Sequence, residues 1–491
     1  TRVLTQESRA VASLPTPSPD APNVLLLVLD NVRAESMSLY GHDRPTTPNL
    51  DRLARRGTVF NEARSTSSWT LPSHASLMTG RWCNELNFGF NRALDAAHPT
   101  LAEFLSRAGY VTAGFVGNTY YANAIYGLSR GFSRYEDHYE NLQISLFEVI
   151  RSGGLGKRVL HFLGYPIHVE EGASIRKTAA MLNRDLLSWI DNRPEDRPFF
   201  GFVNYFDAHA PFLPPRGFET RFGMAALPTS EKARILKRSV RLGTNPATPG
   251  ENADEIRLQA QAIARDSYES CLAYLDQEIG RLMDALDRRG LSEKTLIVIT
   301  SDHGEHFGER GFSGHGRSLY RPEVHVPLLV LWPRDRADRM AQVVDQPVTN
   351  REVPTTVADL LDLGATSPFS GSSLARFRRA APAPEQTPVL SELDHQRDLQ
   401  PMREVPASLG PVKALIRDGK VYMQVGTDHE ELYDLETDPR EMRNLLSTVD
   451  GDRSVNPTHV LVRSHRTLLG RLTGEQPPTE IAEDSPTRLR R

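Results

Sequence analysis

The chain of 491 residues is 39% hydrophobic and 24% charged, a balance that suits a globular protein of two to four domains, or one large α/β domain with a smaller companion. Its formal net charge of −4 supplies no global basic field, so there is no nucleic-acid-binding signal and no electrostatic pull towards anionic lipid. No apolar run reaches the roughly 18–20 residues of a transmembrane segment, and two cysteines, Cys83 and Cys271, without a CxxC pair, fit one disulfide or two free thiols equally.

Residues 1–21 are polar and end in a proline-rich stretch, which predicts a leader or linker. The chain starts at Thr1, so a signal or anchor removed upstream, with an extracytoplasmic location, is one expectation. Asn23–Leu29 is apolar without alternation, the pattern of a strand covered on both faces, and it ends at Asp30-Asn31. Helices are predicted over 100–108, 179–190 and 263–289. Strands are predicted over 110–116, 198–206, 295–300 and 326–331. Strands alternating with helices predict a mostly parallel central sheet flanked by helices. Residues 135–178 read as an insertion over the catalytic face, and the polar, Arg-rich 214–258 as an insertion forming a flexible lid. Beyond the Ala/Pro stretch 380–384, a hairpin around Asp418-Gly419 and a further strand near 432–435 predict a small antiparallel subdomain. The division is 1–21, a catalytic domain 22–379, a C-terminal α+β subdomain 380–476, and a disordered tail 477–491.

Three polar clusters fall at predicted strand ends: Asp30-Asn31, Asp207 with His209, and Asp302-His303. In open α/β sheets that edge is where ligands bind. A fourth cluster surrounds Thr70. Pro72 and Gly80 bracket a short helix, and Thr70 stands at or just before its N-cap, facing the positive end of the helix dipole. A threonine there is commonly a simple cap. Near a divalent cation its hydroxyl becomes a competent nucleophile. Asp30, Asp302 and His303 are suitable ligands for such an ion.

These segments resemble the sulfatase branch of the alkaline phosphatase superfamily. The likeness rests on Asp30-Asn31, Arg44-Pro45-Thr46-Thr47-Pro48-Asn49, Thr70-Leu71-Pro72-Ser73-His74-Ala75-Ser76, Thr300-Ser301-Asp302-His303-Gly304-Glu305 and Leu432-Tyr433-Asp434-Leu435, and it spans roughly 22–446. It implies an alkaline-phosphatase-like fold and a divalent metal (Mn, Zn, Ca or Mg; one ion or two) held by Asp30, Asn31, Thr70, Asp302 and His303. It also implies catalytic roles for Thr70, His209 and His315, with His74 and Asn118 on the substrate. Asp207 with the histidines is an alternative second-metal set. The departures are informative. Sulfatases carry Cys or Ser at the Thr70 position and oxidise it to formylglycine; a threonine would yield a ketone. Asn31 replaces an Asp, His74 an Arg, and Asn118 and His315 replace lysines. Threonine resembles the phosphodiesterase, phosphonate monoester hydrolase and phosphoethanolamine transferase branches.

The expected activity is hydrolysis of a phosphodiester or phosphate monoester by in-line attack of Thr70 through a covalent intermediate. The substrate would be a small molecule or a glycan or lipid head-group ester. Alternatives are a sulfatase without formylglycine, a phosphoethanolamine- or phosphoglycerol-type transferase, and an inactive glycan-binding relative.

Overall fold

The computed structural model describes residues 2–86, 89, 92–138, 176–223, 227, 228, 231, 232, 234, 235, 252–334, 342–377, 386–396, 405–448 and 457–475. Most of the expected 135–178 and 214–258 insertions, the 380–384 linker and the tail 477–491 lie outside these residues.

Eight strands build the large sheet: Asn23–Leu29 (β1), Thr58–Phe60 (β2), Val111–Val116 (β3), Arg134–Glu136 (β4), Phe199–Tyr205 (β5), Thr295–Thr300 (β6), Leu328–Leu331 (β7) and Gln342–Val344 (β8). Their spatial order is β8-β2-β7-β6-β1-β5-β3-β4. From β6 to β4 every neighbouring pair is parallel. Only β7 runs antiparallel, against both β6 and β2. Its apolar run marks it as a strand, but burial on both faces carries no information about direction.

The unbroken apolar character of β1 follows from its place at the centre. Val24, Leu26 and Val28 enter one core with Phe200 and Phe202, while Leu25, Leu27 and Leu29 enter the other with Phe199 and Val203. Because successive side chains alternate faces, a strand with helices on both sides has no position for a polar residue until it ends. Helices Pro48–Ala54 (α2), Thr70–Thr79 (α3), Leu101–Arg107 (α4), Ala179–Asn192 (α5), Ala253–Arg288 (α6) and Val353–Leu360 (α7) cover the sheet. On α5, Leu182, Leu186, Trp189 and Ile190 form the buried stripe.

Three boundaries differ from expectation. Residues 2–12 form a helix (α1, Arg2–Ala12), and the segment after it docks on the domain. Trp189 Nε1 donates to Glu7, and Arg197 donates to the Pro15 carbonyl. Proline after a short polar helix reads as linker when the docking partner is unseen. The residues expected to open an insertion, 135 and 136, instead belong to edge strand β4. The last residues of the expected lid belong to α6, whose start is fixed by the Asn252 side chain accepting from Glu255 N–H.

The second sheet is antiparallel: Val389–Leu393 (β9), Val412–Arg417 (β10), Lys420–Val425 (β11) and His429–Asp434 (β12). Asp418 and Gly419 take φ of 51° and 69°, the left-handed pair of a two-residue hairpin whose twist matches its strands. Val462 and Leu469 of helix α8 (Pro457–Thr473) pack on this sheet through Leu390, Leu415, Tyr422 and Leu432. The sheet also grips the large domain. Ser391 Oγ donates to the Ser65 carbonyl, Glu392 N–H to Thr66 O, and Ala407 N–H to Arg317 O. Cys83 and Cys271 are both free thiols. No helix among the described residues is long and apolar enough to cross a membrane.

Candidate active site

The parallel strands β1, β5, β6 and β3 all end on one edge, and their next residues converge there. Asp30 and Asn31 follow β1, Asp302 and His303 follow β6, and Asn118 follows β3; Asn204 sits near the end of β5, paired in register with Val28. All six are buried. Burial of so many polar groups requires partners for each.

Asp30 Oδ2 accepts from Asn118 Nδ2 at 2.9 Å and Asn204 Nδ2 at 3.1 Å. Asp302 Oδ1 accepts from the backbone N–H of Asn31 at 3.1 Å and of His303 at 2.9 Å. Asn31 holds a left-handed φ of 67°. That conformation is uncommon for a residue with a side chain and aims its backbone N–H at Asp302. The remaining oxygens, Asp30 Oδ1, Asn31 Oδ1 and Asp302 Oδ2, are buried and find no hydrogen-bond partner among the described residues; Glu305 Oε1 shares that condition.

Asp30, Asp302 and His303 each present a ligand atom within 4.8 Å of the others. Burial, then the nearby charge of Asp302, pushes the Asp30 carboxyl well above its ordinary range. Burial opposes ionisation of Asp302, yet His303, His74 and two backbone N–H groups hold its pKa below the ordinary value. Two buried carboxylates with unsatisfied oxygens facing one space need positive charge between them, so the donor set fits a divalent cation.

Thr70 is the first residue of α3, at the positive end of the helix, and Gly80 closes the helix with φ 65° and its N–H on Ser76 O. The Thr70 hydroxyl lies 3.1 Å from His303 Nε2. His303 Nδ1 donates to the Gly304 carbonyl at 3.0 Å, which fixes the tautomer and turns the Nε2 lone pair towards Thr70 and the carboxylates. Ser65 and Ser73 both donate to the Asp302 carbonyl, Ser73 at 2.7 Å. These bonds tie α3 to the turn after β6. Helix and strand end are thus held at fixed spacing although far apart in sequence.

His315 joins the same group. Its ring stacks on His303 with centroids 4.3 Å apart, and lies 5.1 Å from His209 and 5.4 Å from Trp69. Its Nδ1 donates to Glu305 Oε2 at 3.2 Å. Burial opposes protonation, but Glu305 outweighs it and raises the His315 pKa. His209 stacks on Phe206 at 4.3 Å. Burial and then the charge of His315 push its pKa down.

The two residues expected on the substrate, His74 and Asn118, are both buried in this group. His74 is fully buried, with Nδ1 donating to the Thr70 carbonyl at 2.8 Å and Nε2 accepting from Asn204 at 3.3 Å. Asn118 gives its amide to Asp30 and takes the backbone N–H groups of Tyr120 and Tyr121 on its oxygen. Asn118 thus bonds Asp30 directly, and His74 reaches the same group through Asn204, which also bonds Asp30. Asp207 stands outside the cluster. Its Oδ1 accepts from Ala179 N–H at the start of α5, and burial pushes its pKa up to about 7.

Sequence reasoning gave no role to Asn204 or Glu305. A lone Asn near the end of an apolar strand was the available signal for the first. Glu305 lay inside a recognised motif, but its two partners, Asn31 and His315, are brought to it only by the fold.

A covered, mostly parallel sheet that gathers carboxylates, imidazoles and a helix-borne hydroxyl at its carboxyl edge is the architecture of the alkaline phosphatase-like ester hydrolases. The Sulfatase family profile matches residues 22–363, and the chain belongs to that family. The choline-sulfatase of Rhizobium meliloti is 26% identical over 458 residues, covering 88% of this chain and 83% of that protein. Among solved structures, the phosphonate monoester hydrolase of Agrobacterium radiobacter superimposes with a TM-score of 0.67 at 21% identity, over 92% of this chain and 95% of that one. A second protein, solved with its substrate D-glucosamine-2-N,6-O-disulfate, gives 0.68 at 19% identity, over 94% and 100%.

Proposed function

We propose that this ester hydrolase cleaves a phosphate-type ester, a phosphodiester or monoester, with Thr70 as nucleophile. The observation that carries this reading is the Thr70 hydroxyl 3.1 Å from His303 Nε2, beside the unsatisfied oxygens of Asp30 and Asp302. Asp30, Asn31, Asp302 and His303, with the Thr70 oxygen, would hold a divalent cation. Such an ion supplies Lewis acidity at the hydroxyl and neutralises charge on the transferring group. The side chain of Thr70 has no route to formylglycine, which supports attack by the hydroxyl itself.

In this mechanism Oγ1, whose proton passes to solvent because a held cation would lower its pKa, forms a bond to phosphorus as the bond to the leaving oxygen breaks in line. The helix N-terminus favours the negative charge of the transferring group. The two histidines have opposite dispositions, raised at His315 and lowered at His209. Divergent environments of this kind separate acid from base. His315 donates a proton to the leaving oxygen, and neutral His209 accepts a hydrogen bond from the substrate or water. Water then attacks phospho-Thr70, giving its proton to the now neutral His315 as the P–Oγ1 bond breaks and returns Thr70 in its deprotonated form.

The name of the choline-sulfatase relative favours a second reading, hydrolysis of a sulfuric ester by unmodified Thr70. One experiment addresses both. An aryl phosphate, an aryl phosphodiester and an aryl sulfate are compared as substrates for wild type and Thr70→Ala. The expected result is preference for a phosphate ester and a loss of about a thousandfold or more in Thr70→Ala, with the fold intact. Full activity of Thr70→Ala on all three refutes the nucleophile. Preference for the sulfate establishes the second reading.

A further inference from the structure

Glu305 is 2% exposed, and one of its oxygens performs two tasks. Oε2 accepts from Asn31 Nδ2 at 2.8 Å and from His315 Nδ1 at 3.2 Å. The first bond decides which way the Asn31 amide faces. Its nitrogen is turned to two acceptors, Glu305 Oε2 and, at 3.5 Å, the Ala208 carbonyl. Its oxygen is buried without a hydrogen-bond partner among the described residues, on a residue that directly follows Asp30 and whose backbone N–H is held by Asp302 Oδ1 at 3.1 Å. Turned over, the amide would present N–H groups in place of that oxygen and repel a cation. The second bond decides the tautomer of His315: with the proton on Nδ1 facing Glu305, Nε2 is the nitrogen available to a leaving oxygen. Asn31 and His315 lie at the ends of different segments, and this carboxylate oxygen joins them. Asn31 carries the left-handed backbone noted above, so its side chain starts from a fixed direction and the Glu305 bond sets the amide orientation.

We propose that Glu305 is a positioning residue that serves both halves of the site through a single oxygen, orienting Asn31 for the cation and His315 for the leaving group. This rests on the roles given to Asn31 and His315 above. Glu305 does not touch the reacting atoms. Towards Asn31 the side chain acts as a hydrogen-bond acceptor; towards His315 it supplies acceptor and charge together. A glutamine with its amide oxygen in the same place would satisfy both donors, whereas alanine satisfies neither.

The test uses the full chain, stripped of metal with chelator. Mn²⁺ affinity is measured by titration calorimetry for wild type, Asn31→Ala, Glu305→Ala and Glu305→Gln. Hydrolysis of aryl phosphodiesters with phenols of graded pKa is measured for the Glu305 variants and for His315→Ala. Glu305→Ala is expected to weaken Mn²⁺ binding by about 10–100-fold, as loss of the group behind a ligand commonly does. It is also expected to steepen the fall in rate with poorer leaving groups, as in His315→Ala. Glu305→Gln is expected to restore most of the Mn²⁺ affinity, which needs only the acceptor, and a smaller part of the leaving-group slope. A purely structural role would lower the melting temperature without moving either readout. If Glu305→Ala keeps wild-type affinity and slope while Asn31→Ala and His315→Ala lose them, the positioning role is overturned and the site reading stands. If Asn31→Ala keeps wild-type affinity, or His315→Ala the wild-type slope, the site reading fails and this inference with it. Should the alanine variant not fold, Glu305→Asp, with its oxygen drawn back by one methylene, is expected to show intermediate losses; wild-type values in both readouts overturn the proposal.

Discussion

Asn31→Asp restores the acid that the resembling family carries at this position, and the structure gives it a definite cost in metal-free protein. A new carboxylate oxygen would stand where Nδ2 now lies 2.8 Å from Glu305 Oε2. Two unit charges at that distance repel by about 6 kcal/mol at an effective dielectric of ~20. The protein has a cheaper escape, which is to protonate one of the pair. Keeping a carboxyl of ordinary pKa near 4 protonated at pH 7.5 costs about 5 kcal/mol, and the cost changes by about 1.4 kcal/mol per pH unit. Small rotations that separate the two groups lower this to about 3–5 kcal/mol. The variant carboxyl has a raised pKa in the folded state, so the penalty is small near pH 4–5 and grows as pH rises. Entropy scaling by chain length converts 1 kcal/mol to about 1 °C for a chain of this size. The assay is thermal unfolding of wild type and variant in chelator from pH 5 to 8. The melting temperature should differ by about 1 °C at pH 5 and about 3–5 °C at pH 7.5. Saturating Mn²⁺ should close the gap, because the added charge then faces a cation. Equal melting temperatures throughout, or a gap independent of pH, would refute the placement of Asn31 against Glu305.

Two further outcomes follow from residues near the site. His306 is buried between Glu323, 3.2 Å from its Nε2, and Glu309; burial opposes its charge, but these partners raise its pKa to about 9. Its contribution, about 3 kcal/mol at most, is complete below pH ~6.5 and is lost as pH rises towards 9. Unfolding measured across that window should show the decline in wild type, and His306→Gln should flatten it. Gly316 has φ 68°, and a Cβ there would meet Trp69 Cε3 at 2.6 Å. Gly316→Ala should therefore displace the loop carrying His315 and cut kcat by about 10–100-fold with little change in fold content by circular dichroism; unchanged kcat would show that the loop tolerates the shift.

Much of the architecture is legible from residue pattern alone. The apolar runs 23–29 and 295–300 coincide with β1 and β6 because a strand covered on both faces has no alternative composition. Asp30 and Asp302 are legible for the converse reason: an acid closing such a run lies at a sheet edge. The direction of β7 is not legible, since sequence encodes burial and not polarity. The docking of α1 and of the segment after it is likewise hidden, because their partners Trp189 and Arg197 lie far along the chain. The same holds for His74 and Asn118. Their chemical type does not name their partners, and only the fold brings Thr70, Asn204 and Asp30 to them. Glu305 is the clearest instance, a residue whose meaning depends on two others meeting it in space.

The grip of the small sheet on the large domain has a consequence for how the enzyme can be cut or recombined. Strand β9 and the residues after it satisfy backbone groups at Ser65, Thr66, Gly316 and Arg317, in the segments that lead to Thr70 and follow His315. A fragment ending before residue 386 would keep every proposed ligand and nucleophile, yet leave those carbonyls to water and both segments untethered. Chimeras between relatives should therefore exchange the C-terminal sheet together with these two segments, because the boundary that matters for turnover runs through hydrogen bonds and not along the polypeptide.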